Sequence, residues 1–219
     1  DLIWDSPATS QIRDVVHRGV GGAAVVIDLG CGTGLMVHGL RELGATVIGV
    51  DSEPRMIARA IAAARIDRGV LAAAESVPLE SGSADAVIIA AVLHLHAEPM
   101  AVLEEALRLL RDDGVLLVAS PRAALSLADV HAADRASGRS GPGSLFAHGL
   151  RMWIGVIAGY SEGEVVVRSR GDAEVDVARQ LQDFRARHPE IRLTDLGMVA
   201  GLQTVWALRR GRPRASSRA

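Results

Sequence analysis

Residues 25–34, which read Val-Val-Ile-Asp-Leu-Gly-Cys-Gly-Thr-Gly, constrain the fold of this chain more than any other stretch. The first three form an apolar, β-branched run that leads into a carboxylate, which is typical of a buried strand. Three alternating glycines follow, and glycine allows positive φ and close backbone approach. A helix is predicted over 35–43, ended by Gly44. A strand, a glycine turn and a helix in this order predict a ligand-binding corner at the carboxyl end of the strand.

The spacing of these glycines excludes two common phosphate-binding loops. A dinucleotide fingerprint requires G-x-G-x-x-G, and from Gly30 or Gly32 the third glycine would fall at Leu35 or Val37. A P-loop requires a lysine after its last glycine, and the sequence contains no lysine. The remaining pattern is D-x-G-x-G-x-G, in which Asp28 can face a cationic group beside the glycines. A glycine turn without a ligand is the alternative.

Apolar runs and helical patterns alternate through the first half of the chain. Helices are predicted at 1–20, 54–66 and 99–111, a turn at 112–114, and further strands at 45–50, 70–74, 86–91 and 115–119. This alternation predicts an α/β fold, a Rossmann-like doubly wound and mostly parallel sheet with helices on both faces.

The pattern changes after Pro121. Helices are predicted at 122–136 and 175–187, a short strand at 164–168, and two final antiparallel strands at 191–196 and 202–208. Without the short strand, the predicted sheet has seven strands, the last of them antiparallel. Residues 122–172 hold a Gly/Ser-rich break and the densest aromatic cluster, and we interpret them as a helical insertion, a lid over the substrate. One domain is expected over 1–209, with a disordered basic tail at 210–219.

The composition limits the classes of function that this chain can have. The 219 residues, 49% of them hydrophobic, suffice for one domain with a full core. The formal net charge is −2, so no global field favours nucleic acid or a membrane surface. A single cysteine excludes an internal disulfide and favours a reducing compartment. No signal peptide or bilayer-spanning run is recognised, so a cytoplasmic location is expected.

A second carboxylate, Asp51, follows the second predicted strand. A carboxylate in this place can accept hydrogen bonds from both hydroxyls of a ribose. The alternative is a cap for the next helix, which Ser52 and Pro54 also announce. The glycine corner on the preceding strand favours the ribose interpretation.

Four segments in order resemble the class I S-adenosylmethionine-dependent methyltransferases, and most of all their small-molecule type 11 group. They are VVIDLGCGTG, VIGVDSEPRMIARA, AESVPLESGSADAVI, and VLHLH followed by LEEALRLLRDDGVLLVAS. The resemblance implies S-adenosylmethionine as cofactor, with the glycines at its methionine end, Asp28 near its ammonium and residues 90–94 beside its methyl group. The cofactor-binding residues that it implies are Asp28, Gly30, Gly32, Gly34, Asp51, Ser52, Ala74, Glu75, Ser76 and Ala90.

One departure from the family pattern concerns the adenine. The family usually has an acidic residue just before its A-E pair, facing the adenine amino group, and this chain has Ala73 there. The backbone at Ala74 and the side chain of Glu75 or Ser76 are the replacements that the sequence offers. Ala73 is also the one feature that supports a non-catalytic, cofactor-binding partner subunit.

The resemblance implies methyl transfer, which needs a general base only when the acceptor is protonated and weakly acidic. His94 and His96 follow the fourth predicted strand, and His94 is the first candidate because histidine titrates near neutral pH. The alternative is that both are loop histidines, exposed or hydrogen-bonded locally, and His96 is the weaker candidate. His148 is a candidate if the lid closes over the site. Cys31 is interpreted as a packed residue rather than a nucleophile.

Absences in the sequence narrow the acceptor. No N/D-P-P-Y/F sequence follows the fourth strand, which disfavours methylation of base amino groups or glutamine amides, and no cluster of metal ligands stands out. We predict methyl transfer to oxygen, with nitrogen or sulfur as alternatives, of a small, partly apolar molecule by a monomer or homodimer. The rivals are RNA or protein methylation, for which only the basic tail offers a surface, and the non-catalytic subunit. The glycine spacing disfavours a nicotinamide-dependent oxidoreductase.

Overall fold

The computed structural model describes residues 7–121, 127–137 and 176–211. Its helices are α1 (Pro7–Val20), α2 (Pro54–Ala62), α3 (Pro99–Leu109), α4 (Leu127–Ala136) and α5 (Val177–Arg187), and a 3-10 turn spans Leu93–Leu95. Its strands are β1 (Val25–Leu29), β2 (Thr46–Asp51), β3 (Arg68–Leu71), β4 (Ala84–Ala90), β5 (Leu110–Pro121), β6 (Ile191–Val199) and β7 (Gln203–Arg210).

Several predictions lie largely outside the described residues. They concern the body of the lid with its aromatic cluster and His148, the short strand at 164–168, and the basic tail. The lid and the domain bounds therefore stay predictions. Within the described ranges, no helix has the length and apolar character that crossing a bilayer requires.

The strands form one sheet in the order β3-β2-β1-β4-β5-β7-β6. The first five strands of this order pair in parallel, and β7 pairs antiparallel with both β5 and β6. The strand order reverses between β1 and β4, which is where ligands bind in open parallel sheets. The predicted fold class, a Rossmann-like sheet of seven strands with the last one antiparallel, is confirmed.

The central strands are buried on both faces. In β4, Val87 and Ile89 pack into a core that also holds side chains of α3 and α5, whereas Ala86 and Ile88 join the core that holds those of α1. Helices on both sides explain why the strand sequences are continuous apolar runs rather than alternating patterns. The carboxyl ends of the strands are thereby left as the accessible edge for a ligand.

The helix predicted over 35–43 is wrong. Backbone hydrogen bonds in this segment mostly reach back three residues rather than four, so the chain runs through successive turns. Gly39 has a φ of +103°, outside the helical region. The Met36 carbonyl accepts a hydrogen bond from Nε2 of His17 in α1 at 3.0 Å. A side chain from another element therefore occupies an acceptor that a helix would use for its own backbone. Val37 and Leu40 are nevertheless buried, in the core that also holds side chains of α1.

The turn predicted at 112–114 is also wrong. β5 begins at Leu110, directly after α3, and these residues lie within it, beside an irregularity in the β4 register. A Cβ on Gly114 would lie 2.6 Å from Cδ1 of Leu110 and 2.8 Å from the Asp85 carbonyl oxygen. Close backbone approach, rather than chain reversal, explains this glycine.

Candidate cofactor and active site

A cleft of about 360 Å³ opens at the carboxyl ends of the parallel strands, where the strand order reverses. Four segments line it: the glycine loop, the end of β2, the loop after β3 and the loop after β4. The lining residues are Gly30, Asp51, Ser52, Ala72, Ala73, Ala74, Glu75, Ala91, Val92, Leu95 and His96. Both its place in the fold and its size are typical of a small-ligand site.

The glycine loop is fixed to β2 through its own backbone. Gly30 N and Cys31 N both donate to the Val50 carbonyl oxygen, at 2.8 and 2.9 Å. Gly32 N donates to Oδ2 of Asp51 at 2.8 Å. The loop is thus shaped before any ligand binds, which lowers the entropy that binding must overcome.

Conformation requires glycine at all three positions, and close contact requires it at two of them. Gly30, Gly32 and Gly34 have φ angles of +70°, +52° and +74°. Residues with a side chain rarely adopt such angles. A Cβ on Gly30 would collide with the side chain of Val92, and one on Gly34 would lie 3.0 Å from Cβ of Arg65. A Cβ on Gly32 would meet open space, so conformation alone selects glycine at that position.

The Asp51 carboxylate joins the glycine loop to the start of α2. Besides the bond to Gly32, its Oδ1 accepts from Glu53 N at 2.9 Å. The N-cap of α2 is Glu53, whose own side chain accepts from Arg55 N at 3.1 Å, so the capping alternative for Asp51 does not apply. Each carboxylate oxygen has a second lone pair. Asp51 lines the cleft with acceptor capacity to spare, as ribose binding requires.

Asp28 is buried at the end of β1 rather than placed in the cleft wall. It is 1% exposed, and its Oδ2 has no hydrogen-bond partner in the described structure. Burial, and secondly the nearby charge of Asp51, raise the pKa of Asp28 to about 7. An unmatched buried carboxylate is costly, so the corner is electrostatically suited to a cationic group.

The wall after β3 is supported by α3. β3 ends earlier than predicted, so residues 72–75 form a loop that lines the cleft. The chain just beyond is clamped, because Val77 N donates to Oε1 of Glu105 at 2.7 Å and its carbonyl accepts from Nη2 of Arg108 at 3.0 Å. Among the lining residues, the acidic side chains are those of Asp51 and Glu75.

His96 lines the cleft, and both of its ring nitrogens are engaged. Nδ1 lies 3.1 Å from Glu98 N, a backbone donor, so Nδ1 accepts. The ring proton of the neutral imidazole is therefore on Nε2, which donates to Oε2 of Glu75 at 3.1 Å. His96 has no free ring nitrogen for an acceptor's proton, and this geometry disfavours the predicted role of base.

His94 lies in the 3-10 turn and is not among the cleft-lining residues. It is 9% exposed, and its buried Nδ1 has no partner in the described part of the chain. Burial lowers the pKa of His94, so the ring is neutral near pH 7. A neutral ring with an unpaired nitrogen has the chemistry of a base, and that role stays a prediction.

Only some of the predicted site residues line the cleft. Gly30, Asp51, Ser52, Ala74, Glu75 and His96 line it, whereas Asp28, Gly32, Gly34, Ser76, Ala90 and His94 do not. Ala91 and Val92 fall within the range placed beside the methyl group, and sequence reasoning missed Ala72 and Leu95. Leu95 is 51% exposed, whereas Leu93 is buried, and no local sequence pattern distinguishes the two.

Comparisons with known proteins bear on this site. Residues 27–118 match the type 11 family model described as a methyltransferase domain. Residues 27–118, less than half of the chain, are thus similar to a methyltransferase domain. This confirms the predicted class I, type 11 recognition for that part of the chain. The predictions of an enzyme of the methyltransferase class and of S-adenosylmethionine as its cofactor agree with this similarity.

The relatives of this methyltransferase domain are matched over limited lengths. An uncharacterised methyltransferase of Mycobacterium tuberculosis is 38% identical over 91 residues, 42% of this chain and 37% of that protein. A ubiquinone biosynthesis O-methyltransferase of Xanthomonas oryzae is 31% identical over 102 residues, 44% of this chain and 43% of that protein. The match thus spans less than half the length of these curated relatives.

A solved structure shares the fold over most of the chain. The 1,6-didemethyltoxoflavin-N1-methyltransferase of Burkholderia thailandensis, with 1,6-didemethyltoxoflavin and S-adenosylhomocysteine bound, aligns with a TM-score of 0.60. The alignment covers 97% of this chain and 82% of that one at 19% identity, a likeness of fold alone. Within the described ranges, no group of three or more His, Cys, Asp or Glu side chains is placed to hold a metal ion.

The residues at this corner of the sheet fit S-adenosylmethionine. The unmatched Oδ2 of buried Asp28 suits the positive charge of an ammonium group. Asp51 offers carboxylate lone pairs at the cleft wall, and the glycine loop opens space that a side chain would fill. The fit covers the methionine and ribose ends; the adenine end lacks an acid at Ala73.

Proposed function

We propose that this chain transfers the methyl group of S-adenosylmethionine to an oxygen atom of a small, partly apolar molecule. The observation that carries the proposal is the composition of the cleft. One end presents Asp51 beside the glycine loop, and the loop after β4 adds Ala91, Val92 and Leu95. The polar end suits the cofactor, and the apolar residues suit an acceptor with hydrophobic surface. We further propose a cytoplasmic monomer or homodimer.

The bound cofactor supplies a sulfonium-activated methyl group. The chain's own residues would then orient the two reactants and exclude water. Asp51 fixes the ribose end through its spare lone pairs, and the glycine loop lets the backbone approach closely. Val92, which packs against the glycine loop, and Leu95 shield the reacting region from solvent.

Two observations support oxygen as the methylated atom. One curated relative with an assigned reaction is an O-methyltransferase. His94, whose pKa is lowered by burial and which precedes cleft-lining Leu95, is the candidate base for a weakly acidic hydroxyl, and this role requires its ring to turn toward the cleft, which it does not line in this structure. Nitrogen and sulfur acceptors are the alternatives that product analysis distinguishes.

The first experiment is calorimetric titration with S-adenosylmethionine and S-adenosylhomocysteine. The wild type should bind both, and Asp51→Asn should weaken binding about 10- to 100-fold, because one charge-assisted hydrogen bond to the ribose is lost. Asp183→Asn, an exposed position on α5, is the matched control. Absence of binding by the wild type would contradict the proposal.

The second experiment identifies the acceptor. A methyl-labelled cofactor is incubated with panels of phenols, amines and thiols, and the product is located by mass spectrometry. Labelling of hydroxyl compounds supports the proposal. Cofactor binding without transfer to any panel would favour the non-catalytic subunit, and labelled RNA or protein would favour the macromolecular rival.

A further inference from the structure

The two walls of the cleft are joined by one side-chain pair. Glu75 belongs to the loop after β3 and His96 to the loop after β4, and Oε2 of Glu75 lies 3.1 Å from Nε2 of His96. We propose that His96 is a positioning residue, which holds Glu75 as the acceptor for the 6-amino group of the cofactor's purine. The inference rests on the proposed function, since it concerns the same bound cofactor.

The direction of the hydrogen bond is fixed by the backbone. Glu98 N donates to Nδ1 of His96 at 3.1 Å, which leaves the ring proton on Nε2. That proton points to Glu75, so the carboxylate is held by a ring that is itself anchored at the residue before α3. A carboxylate on a loop is otherwise free to change rotamer, and this contact limits that freedom.

Of the two carboxylates that line the cleft, Glu75 is the one that remains available to the purine. Asp51 already accepts from Gly32 N and Glu53 N, and it stands at the glycine loop. Glu75 stands on the wall formed by residues 72–75 and keeps lone pairs beyond the one that His96 uses. An ionised carboxylate only accepts hydrogen bonds, so it favours a 6-amino purine, a donor, over a 6-oxo purine, an acceptor.

The partial exposure of the pair sets the expected size of this selection. The side chain of His96 is 23% exposed and that of Glu75 is 38% exposed. Water can therefore compete for the carboxylate, and the discrimination should fall well below that of a fully buried site.

The test compares S-adenosylhomocysteine with its 6-oxo analogue, S-inosylhomocysteine, by calorimetric titration. The wild type should prefer the 6-amino compound about 10- to 100-fold, as one charge-assisted hydrogen bond implies. Glu75→Gln should bring the preference to about twofold or reverse it, because its amide NH2 can donate to the 6-oxo group. Glu80→Gln, an exposed acid on the same loop outside the cleft, should behave as the wild type.

His96 is tested by a pair of variants. His96→Ala should reduce the preference about three- to tenfold, because Glu75 is no longer held. His96→Gln keeps an N–H donor and should restore the preference to within about twofold of the wild type. The preference is a ratio within one variant, so a general loss of stability does not change it, and thermal melts record folding.

Each outcome has one meaning. An unchanged preference in Glu75→Gln overturns the role of Glu75, and an unchanged preference in His96→Ala overturns the positioning role of His96. A wild type that binds both compounds equally overturns this inference and leaves the proposed function standing. A wild type that binds neither compound, nor S-adenosylmethionine, overturns both.

Discussion

Two buried carboxylates near the cleft have opposite hydrogen-bonding environments. Glu105 on α3, 9% exposed, accepts from Val77 N and from Nε and Nη2 of Arg108, each at 2.7 Å. The hydrogen bond from Arg108 is the main cause that lowers the pKa of Glu105. Asp28 on β1, 1% exposed, has an Oδ2 without a partner in the described structure, and its pKa is raised to about 7.

The difference shows that the hydrogen-bond partners of a buried carboxylate, more than its burial, determine whether its pKa is lowered or raised. The network around Glu105 is complete, and it fixes the loop that continues from the cleft wall. The surroundings of Asp28 are incomplete, and a cation would complete them. A satisfied polar network stabilises one structure, whereas an unsatisfied group marks a place where a ligand contributes the missing interaction.

The largest expected effect follows from breaking the complete network. Glu105→Ala should lower the free energy of unfolding by about 2–4 kcal/mol, because Val77 N and Arg108 both lose their acceptor. Urea unfolding measures it. Glu104→Ala, the exposed neighbour on the same helix, should cost at most about 1 kcal/mol. Equal losses of unfolding free energy in the two variants would show that the buried network contributes no more to stability than an exposed side chain.

The same kind of change at Asp28 should have the opposite sign. Its folded pKa lies above the unfolded value, so the ligand-free protein loses stability as the pH rises toward 7 and the carboxyl ionises. At pH 7.5, Asp28→Asn should therefore raise the free energy of unfolding by about 1–2 kcal/mol. It should also weaken S-adenosylmethionine binding about 10- to 100-fold. Urea unfolding and calorimetry measure the two effects, and a destabilised variant would mean that the charge is already matched.

Proton linkage gives a smaller effect that sharpens the comparison. Below pH 7 Asp28 is protonated and must lose its proton to match a cation, so affinity for S-adenosylmethionine should fall as the pH falls. The expected loss is about tenfold, or about 1.4 kcal/mol, per pH unit below the pKa. Titrations from pH 5.5 to 7.5, in buffers with different ionisation enthalpies, would also count the released proton. Asp28→Asn should be flat over this range, and a matching slope in that variant would assign the proton to another group.

The sequence predicted the strands and the glycine corner well, because these depend on local patterns. Apolar β-branched runs identified β1, β2 and β4, and the alternating glycines have the positive φ angles that their spacing indicated. The parallel sheet then brings the strand ends together, so Asp51 and Gly30 reach one cleft without any information beyond strand order.

What the sequence did not predict depends on tertiary contacts. The turns at 35–43 are associated with the His17 ring bound to the Met36 carbonyl, which no local pattern reveals. The commitment of His96 to Glu75 and Glu98 likewise appears only when three separate backbone segments meet. Asp28 carries the right chemistry, but the structure buries it and does not place it among the cleft-lining residues, which its local sequence does not indicate.

The smallest expected effect concerns Glu104, one residue from Glu105 and exposed. Its Oε1 lies 2.9 Å from Nε2 of His188, and this contact, followed by that of Glu190, raises the pKa of His188. A raised histidine pKa gives stability that is fully present below the unfolded value of about 6.5 and is lost as the pH rises through the folded value. The contribution should be a few tenths of a kcal/mol, as for other exposed pairs.

The measurement is the difference in urea unfolding free energy between wild type and Glu104→Gln, at pH 6 and again at pH 8.5. The difference should be present at pH 6 and vanish at pH 8.5, and taking it between two proteins at one pH cancels the titration of Asp28. A difference of equal size at both pH values would mean that Glu104 acts through packing rather than charge. A difference as large as that of Glu105→Ala would contradict the comparison, because an exposed pair that exchanges hydrogen bonds with water should not match a buried network whose donors have no alternative acceptor.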